Sequence, residues 1–183
     1  MDAAFPGLAT ERCALRPLAS HDLPEFAAYR ALPEVARFQS WSDYAPADAE
    51  RLLVRQQATP FAAPESWFQI AVTARDGSAL FGDCALHFPA DPRQLEIGFT
   101  LAPRHQGQGL MREALACLLN HVFGVMQRHR VTAVTDADNQ PARRLLIALG
   151  FRLEAHCVEN VFFKGRWSDE CLYACLAREW RGL

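Results

Sequence analysis

The sequence predicts a mixed α/β domain, and three observations carry that prediction. Helical and strand periodicities interleave through the first 150 residues, an antiparallel strand pair closes the chain, and no repeat, low-complexity segment or linker interrupts it. At 183 residues the chain is long enough to bury a core without staples, and residues 1–183 read as one domain. Half the residues are hydrophobic and 22% are charged, as in an ordinary soluble globular protein.

Each element has its own signal. TERCALRPL, residues 10–18, reads as a first strand, with Cys13 and Leu15 alternating against Arg12 and Arg16. Ser20 reads as a helix N-cap, followed by Leu23, Phe26, Ala27 and Arg30 at helical spacing, until Pro33 breaks the pattern. A second helix is expected over Ala47 to Gln57, entered through Pro46 and acidic residues in its first turn. WFQIAVTA and LFGDCALHF flank Asp76-Gly77 as a β-hairpin, and PADP leads into the next strand.

The most informative stretch is LEIGFTLAPRHQGQGLM, Leu95 to Met111. Leu95, Ile97, Phe99 and Leu101 alternate with Glu96, Gly98 and Thr100, and Pro103 then stops the ladder. Gly107 and Gly109 precede a helix whose apolar face includes Leu110, Leu115, Leu118 and Val122. A glycine turn that opens a helix is suited to an anion, because the first-turn amides lack partners and the helix dipole is positive there. A Walker loop is excluded, since Leu110 and Met111 follow Gly109; a dinucleotide fingerprint is excluded by Arg112 at its third small position. The turn is therefore expected to cradle a diphosphate.

Val131 to Asp136 follow as a buried strand. Asn139 reads as the cap of a helix with Pro141 in its first turn, apolar Leu145, Leu146 and Leu149, and Gly150 as its left-handed stop. FRLEAHCVENVFF and SDECLYACLA then form two strands joined around Gly165.

Composition excludes several functions. The net charge of -2 offers no basic surplus for nucleic acid, no apolar run is long enough to span a membrane, and the N-terminus has no leader pattern. A cytoplasmic protein without nucleic-acid or membrane partners is expected. The six cysteines contain no Cys-x-x-Cys and the six histidines lack ligand spacing, so no metal site is expected.

Taken together, TERCALRPL, the Arg104-x-x-Gly107-x-Gly109 turn with its preceding strand, Asn139 through Gly150-Phe151, and KGRWSDE resemble the GNAT N-acetyltransferases, in the branch that includes RimJ/RimL-type enzymes. The resemblance runs over nearly the whole chain in the family's order. It implies a mostly antiparallel, twisted sheet flanked by helices and splayed at its central strands. It further implies acetyl-CoA as cofactor, its diphosphate on the amides of Gln106, Gly107, Gln108, Gly109 and Leu110, with Arg104 adding charge. Its pantetheine arm would pair with the backbone of Phe99, Thr100 and Leu101, with Asn139 and Arg143 as further contacts; Asn139 is equally explained as a helix cap.

Acetyl transfer needs a neutral amine, and an α-amino group has a pKa of about 8 against about 10.4 for lysine, so a base is useful. Glu96, on the face of Gly98, is the candidate; an exposed or salt-bridged strand carboxylate is the competing explanation. Asp136, Asp138 and Glu154 rank behind it. Phe38, Trp41, Tyr44 and Trp167 are candidate walls for the acceptor, or packed aromatics. Two departures from the family stand out: Leu146 occupies the position of its usual tyrosine acid, and Ala142 that of a common serine. The expected function is acetyl transfer from acetyl-CoA to a primary amine, on a small molecule or a peptide, by direct attack. The alternative is a non-catalytic acyl-CoA-binding sensor or regulatory module. The family also makes a homodimer an expectation.

Overall fold

The structure, a computed structural model, describes residues 4–182. Its strands are β1 (Leu8–Ala9), β2 (Cys13–Pro17), β3 (Ser66–Ala74), β4 (Leu80–Phe88), β5 (Gln94–Leu101), β6 (Arg130–Asp136), β7 (Arg152–Phe163) and β8 (Arg166–Leu176). They form one sheet in the order β1-β2-β3-β4-β5-β6-β8-β7. The helices are α1 (Leu23–Arg30), α2 (Pro33–Ala36), α3 (Pro46–Ala58), α4 (Leu110–Gly124) and α5 (Gln140–Ala148).

The alternation of β3, β4 and β5 divides the sheet into two faces. Ile70, Val72, Cys84, Leu86, Leu95 and Ile97 pack with Leu110, Ala114, Leu115, Leu118, Leu119 and Val122 of α4 in the larger core. Each fully buried leucine or isoleucine of this layer contributes about 1.5–3 kcal/mol. The opposite face carries Trp67, Gln69, Asp83, Ala85, His87, Glu96, Gly98 and Thr100 in register. Near Ala71 it is covered by a smaller core in which Phe26, Ala27 and Tyr29 of α1 meet Ala49 of α3.

The pairing of β5 with β6 is parallel, whereas the other neighbouring pairs are antiparallel. It runs only from Gln94 opposite Arg130 to Glu96 opposite Thr132. Both strands continue, β5 to Leu101 on β4 and β6 to Asp136 on β8, so they splay beyond Glu96. The mostly antiparallel sheet and its central splay agree with the expectation from the sequence.

Three local readings are corrected. A short β1 precedes β2 and turns into it through Thr10, whose amide donates to the Cys13 carbonyl at 2.8 Å; two residues are too few to show a period. Ser20 is not the cap of α1: residues Ser20–Asp22 form a 3₁₀ turn, and Asp22 accepts the Ala19 amide at 2.8 Å while gripped by Arg16 at 2.6 and 2.8 Å. Pro33 opens the single turn of α2, where its missing amide hydrogen is no loss. Asn139 does cap α5, accepting the Ala142 amide at 3.3 Å, and Gly150 has φ +84°. At the far end, the turn between β7 and β8 reaches back to the α2–α3 connector: Lys164 Nζ donates to the carbonyls of Ala36 and, at 2.6 Å, Trp41.

Candidate active site

The glycine turn is built by two left-handed residues. A 3₁₀ turn over Pro103–His105 ends with the Gln106 amide donating back to Pro103 at 3.1 Å; Gly107 (φ +74°) and Gly109 (φ +77°) then redirect the chain into α4. The Glu113 amide bonds the Gly109 carbonyl at 3.1 Å, which leaves the amides of the first turn outside the helical ladder. Gln106 is thus corrected as an amide donor, since its N–H is already engaged; the cradle begins at Gly107. Gln106 and Gln108 brace the turn through side-chain bonds to the carbonyls of Leu101 (2.9 Å) and Arg104 (3.1 Å).

Two arginines stand beside the turn, each in an ion pair, and the sequence reading overlooked one of them. Arg104 is paired with Glu25, and its Nε donates to the His105 ring at 2.9 Å. Burial and the Arg104 charge hold His105 below its ordinary pKa, so its ring nitrogen stays free to accept. Arg12 instead reaches over the turn, with Nη1 donating to the Gln108 carbonyl at 2.9 Å and Nε to Glu113 Oε2 at 2.6 Å. Glu113 also accepts from Thr10 Oγ1 at 2.5 Å and the Arg12 amide at 2.8 Å. Burial acts to raise its pKa, but these donors outweigh it and hold the carboxyl below its ordinary value. The β1–β2 turn is therefore tied to the start of α4. The charged residues of TERCALRPL were visible in the sequence, but nothing local aimed Arg12 at a turn 96 residues away.

On the opposite face, a cleft of about 770 Å³ borders Gly98, Phe99 and Thr100 of β5. Its floor is a buried charged cluster. Asp83, 1% exposed, accepts from Arg30 Nη2 at 2.7 Å and from Tyr29 and Gln69. Arg30, 5% exposed, lies 4.1 Å from the Phe26 ring centroid, 4.5 Å from Trp41 and 5.4 Å from Tyr44. Burial and then the Asp83 charge push the Tyr29 hydroxyl well above its ordinary pKa, so it stays a donor. Isolated charges would not survive at this depth; the ring contacts and hydrogen bonds compensate them.

Glu96 lies on the Gly98 face beside the cleft, half-buried, with Oε2 3.9 Å from His87 Nδ1. Trp67 stacks on His87 with centroids 4.8 Å apart and planes at 26°, and its ring stands 3.8 Å from where a Gly98 Cβ would be. Burial raises the Glu96 pKa above the ordinary carboxylate value; His87 opposes this and Glu170 adds to it. A carboxylate so poised is suited to receiving a proton.

The remaining candidates divide. Trp41 and Tyr44 line the cleft, and Trp41 Nε1 donates to the Arg30 carbonyl at 3.0 Å. Phe38 does not line it, because its ring packs under Arg37 at 4.9 Å. Trp167 pairs edge-on with Phe162 at 5.5 Å and borders a separate pocket of about 230 Å³ beside Asp136. Both are corrected as cleft walls. Arg143 is turned inward, donating to the Tyr173 hydroxyl at 3.0 Å and the Ala137 carbonyl at 2.8 Å, so its guanidinium is held by the core. Leu146 is 1% exposed and belongs to that core. Burial raises the thiols of Cys13, Cys84, Cys117 and Cys171, and that of Cys175 to about 11, which leaves them poor nucleophiles. Among the described residues no group of His, Cys, Asp and Glu could hold a metal, and no helix is long and apolar enough to cross a membrane.

The described residues fit acetyl-CoA. First-turn amides of α4 offer donors to a diphosphate, Arg12 lies beside them, and the splay leaves the β5 edge from Ile97 to Leu101 without a strand neighbour. The cleft opens at Gly98, Phe99 and Thr100 of that edge.

Comparison with known proteins points the same way. Residues 12–152 match the family model described as an acetyltransferase (GNAT) domain. An uncharacterized N-acetyltransferase, p20, of Bacillus licheniformis is 24% identical over 96% of this chain and 98% of its own. The ribosomal protein uS5 alanine N-acetyltransferase of Escherichia coli is 30% identical over 46% of this chain and 43% of its own. Among solved structures, the spermidine N-acetyltransferase of Vibrio cholerae in complex with CoA and spermine superposes with a TM-score of 0.80 at 22% identity, covering 93% of this chain and 98% of the other.

Proposed function

The chain belongs to the GNAT acetyltransferases, which move acetyl from acetyl-CoA to an amine, and on that premise we propose how its own residues divide the work. One observation carries the proposal: the β5–β6 pairing stops at Glu96, so β5 has a free edge that borders the cleft at Gly98 to Thr100 and leads on into the glycine turn. The backbone of Phe99, Thr100 and Leu101 pairs with the pantetheine arm. The amides of Gly107, Gln108, Gly109 and Leu110 take the diphosphate, with Arg12 and, once released from Glu25, Arg104 as counter-charges. Several charge-assisted hydrogen bonds of about 1.5–3 kcal/mol each suffice to anchor it. Asn139, in the turn between β6 and α5, is the further contact for the pantetheine arm.

When bound, acetyl-CoA supplies a thioester carbon open to attack. The acceptor amine enters from the cleft, between Trp41 and Tyr44 on one wall and Trp67 on the other. Glu96 receives its proton, directly or through one water, and is left neutral in a half-buried site that favours that form. With leucine at position 146, water protonates the departing thiolate. The uS5 alanine and spermidine N-acetyltransferases named above differ in the amine they acetylate, so the acceptor is argued separately below. The same reading takes residues 1–183 as one catalytic unit, working in the cytoplasm as a homodimer; exposed Leu153, Val158 and Phe162 on the outermost strand β7 support self-association.

The test is release of free thiol from acetyl-CoA across a panel of amines. The proposal expects release that depends on an amine and is lost in Glu96→Gln. Cofactor binding with no thiol release from any amine would mean an acyl-CoA-binding module instead.

A further inference from the structure

We infer that the cleft selects an acceptor amine that also carries a carboxylate, and that Arg30, Tyr44 and Arg55 form the carboxylate subsite. The inference rests on the acetyl-transfer reading and names its substrate class.

The cleft holds polar groups of both signs, and their partners decide which are open to a ligand. Its two inner carboxylates are already committed. Asp83 accepts three side-chain donors from within the protein, and Asp48 accepts the Ala45 amide at 2.8 Å and pairs with Arg51. Asp83 is nearly saturated and sealed from solvent, and the Asp48 charge is offset by Arg51, so neither offers a polyamine chain an uncompensated charge. The donors are in the opposite condition. Arg30 and Tyr44 both line the cleft, and Arg30 Nε and the Tyr44 hydroxyl are buried close to each other with no acceptor from the rest of the protein. Burial keeps the Tyr44 phenol above its ordinary pKa, and therefore protonated. A buried donor left unpaired costs about 1–3 kcal/mol, so an arriving oxygen acceptor is favoured there. On α3, Arg55 also lines the cleft, and its guanidinium has no ion-pair or hydrogen-bond partner among the described residues, one turn from Arg51.

A polyamine brings only donors and positive charge, and would meet unpaired donors and guanidinium groups. A carboxylate brings four acceptor lone pairs and suits a planar guanidinium. The carboxylates that stay open, Glu65 in the cleft and Glu96 beside it, suit the ammonium end of such a molecule. The cleft is thus polarised for a zwitterion, with the amine toward Glu96 and the splay, and the carboxylate toward α1 and α3. The carboxylate can belong to a free amino acid or to the acidic end of a short peptide.

The experiment measures thiol release from acetyl-CoA with matched acceptors: α-amino acids and their C-terminal amides, tripeptides with free and amidated C-termini, and spermidine. At least one acid is expected to exceed its amide by tenfold or more in kcat/KM, and the better series identifies free amino acid or peptide as the source. Arg55→Gln, at an exposed position, is expected to bring that acid down to the level of its amide. Amides or spermidine used as readily as acids, or an Arg55→Gln enzyme with the acid preference intact, would overturn the carboxylate subsite while leaving acetyl transfer standing. No release from any acceptor, with CoA still bound, would overturn both.

Discussion

At the level of single residues, Glu96 is the sharpest test of the chemistry. Glu96→Gln keeps the shape and removes the proton acceptor, and kcat/KM is expected to fall by about 10²–10⁴-fold. Stability supplies an independent reading with a definite sign. Burial raises the Glu96 pKa in the folded chain, so the folded state holds its proton at pH values where the unfolded chain has released it. That contribution is complete below the unfolded pKa and is lost as pH rises through the folded one. Urea melts of wild type and Glu96→Gln at pH 4 to 8 should therefore show the variant gaining relative stability with rising pH. A gap independent of pH would mean that burial does not tune this carboxyl.

The cleft floor gives a second prediction at the same scale. Asp83→Ala leaves Arg30 charged, buried and without its carboxylate, and is expected to cost about 3–5 kcal/mol, read as a lower urea midpoint. A loss below about 1 kcal/mol would show that the ring contacts alone hold the guanidinium. None of this cluster was legible in the sequence. Arg30 and Asp83 lie 53 residues apart, and each alone reads as a surface charge at the end of a helix or in a strand. Glu96 was legible because the alternation of its own strand fixes its face relative to Gly98. Trp41 and Tyr44 were legible only as aromatics in a polar connector, a signal that Phe38 and Trp167 share without reaching the cleft.

At the level of elements, the β4–β5 contact shapes the edge on which the cofactor arm would lie. A Cβ on Gly82 would stand 2.2 Å from the Thr100 carbonyl oxygen and 2.8 Å from the Leu101 Cα, both backbone atoms that cannot step aside. Gly82→Ala should therefore displace β5 there, lowering stability by about 1–3 kcal/mol or more and weakening CoA binding together. A variant with wild-type urea midpoint and affinity would show that the strands do not need this approach. Strand β5, the glycine turn and α4 were readable from sequence because the apolar period changes from two to about four across a pair of glycines. Strand β1 was not, being too short for a period, and the start of α1 was misplaced because Asp22 answers to Arg16 rather than to the helix.

For the whole molecule, function depends on one interruption in an otherwise regular sheet. A single parallel pair lies among antiparallel neighbours, and it opens after three residue pairs. No local pattern encodes that opening, because β6 is committed to β8 by residues far along the chain, from Arg130 opposite Leu176 to Asp136 opposite Glu170. Family resemblance supplied it, and the pairing register bears it out. In the proposed reading, the glycine turn beside the opening, tied to β1–β2 through Arg12 and Glu113, takes the doubly charged end of an extended ligand whose arm lies in the splay.

That claim is tested most directly by titration calorimetry of acetyl-CoA against wild type and Gly107→Glu. Gly107 has open space around its Cβ direction but φ +74°, so the variant adds strain of about 1 kcal/mol and a negative charge beside the cradle while leaving the core intact. The account predicts one-to-one binding to the wild type and at least a tenfold weaker affinity in the variant. Equal affinity in the two proteins, or no heat with either, would contradict it.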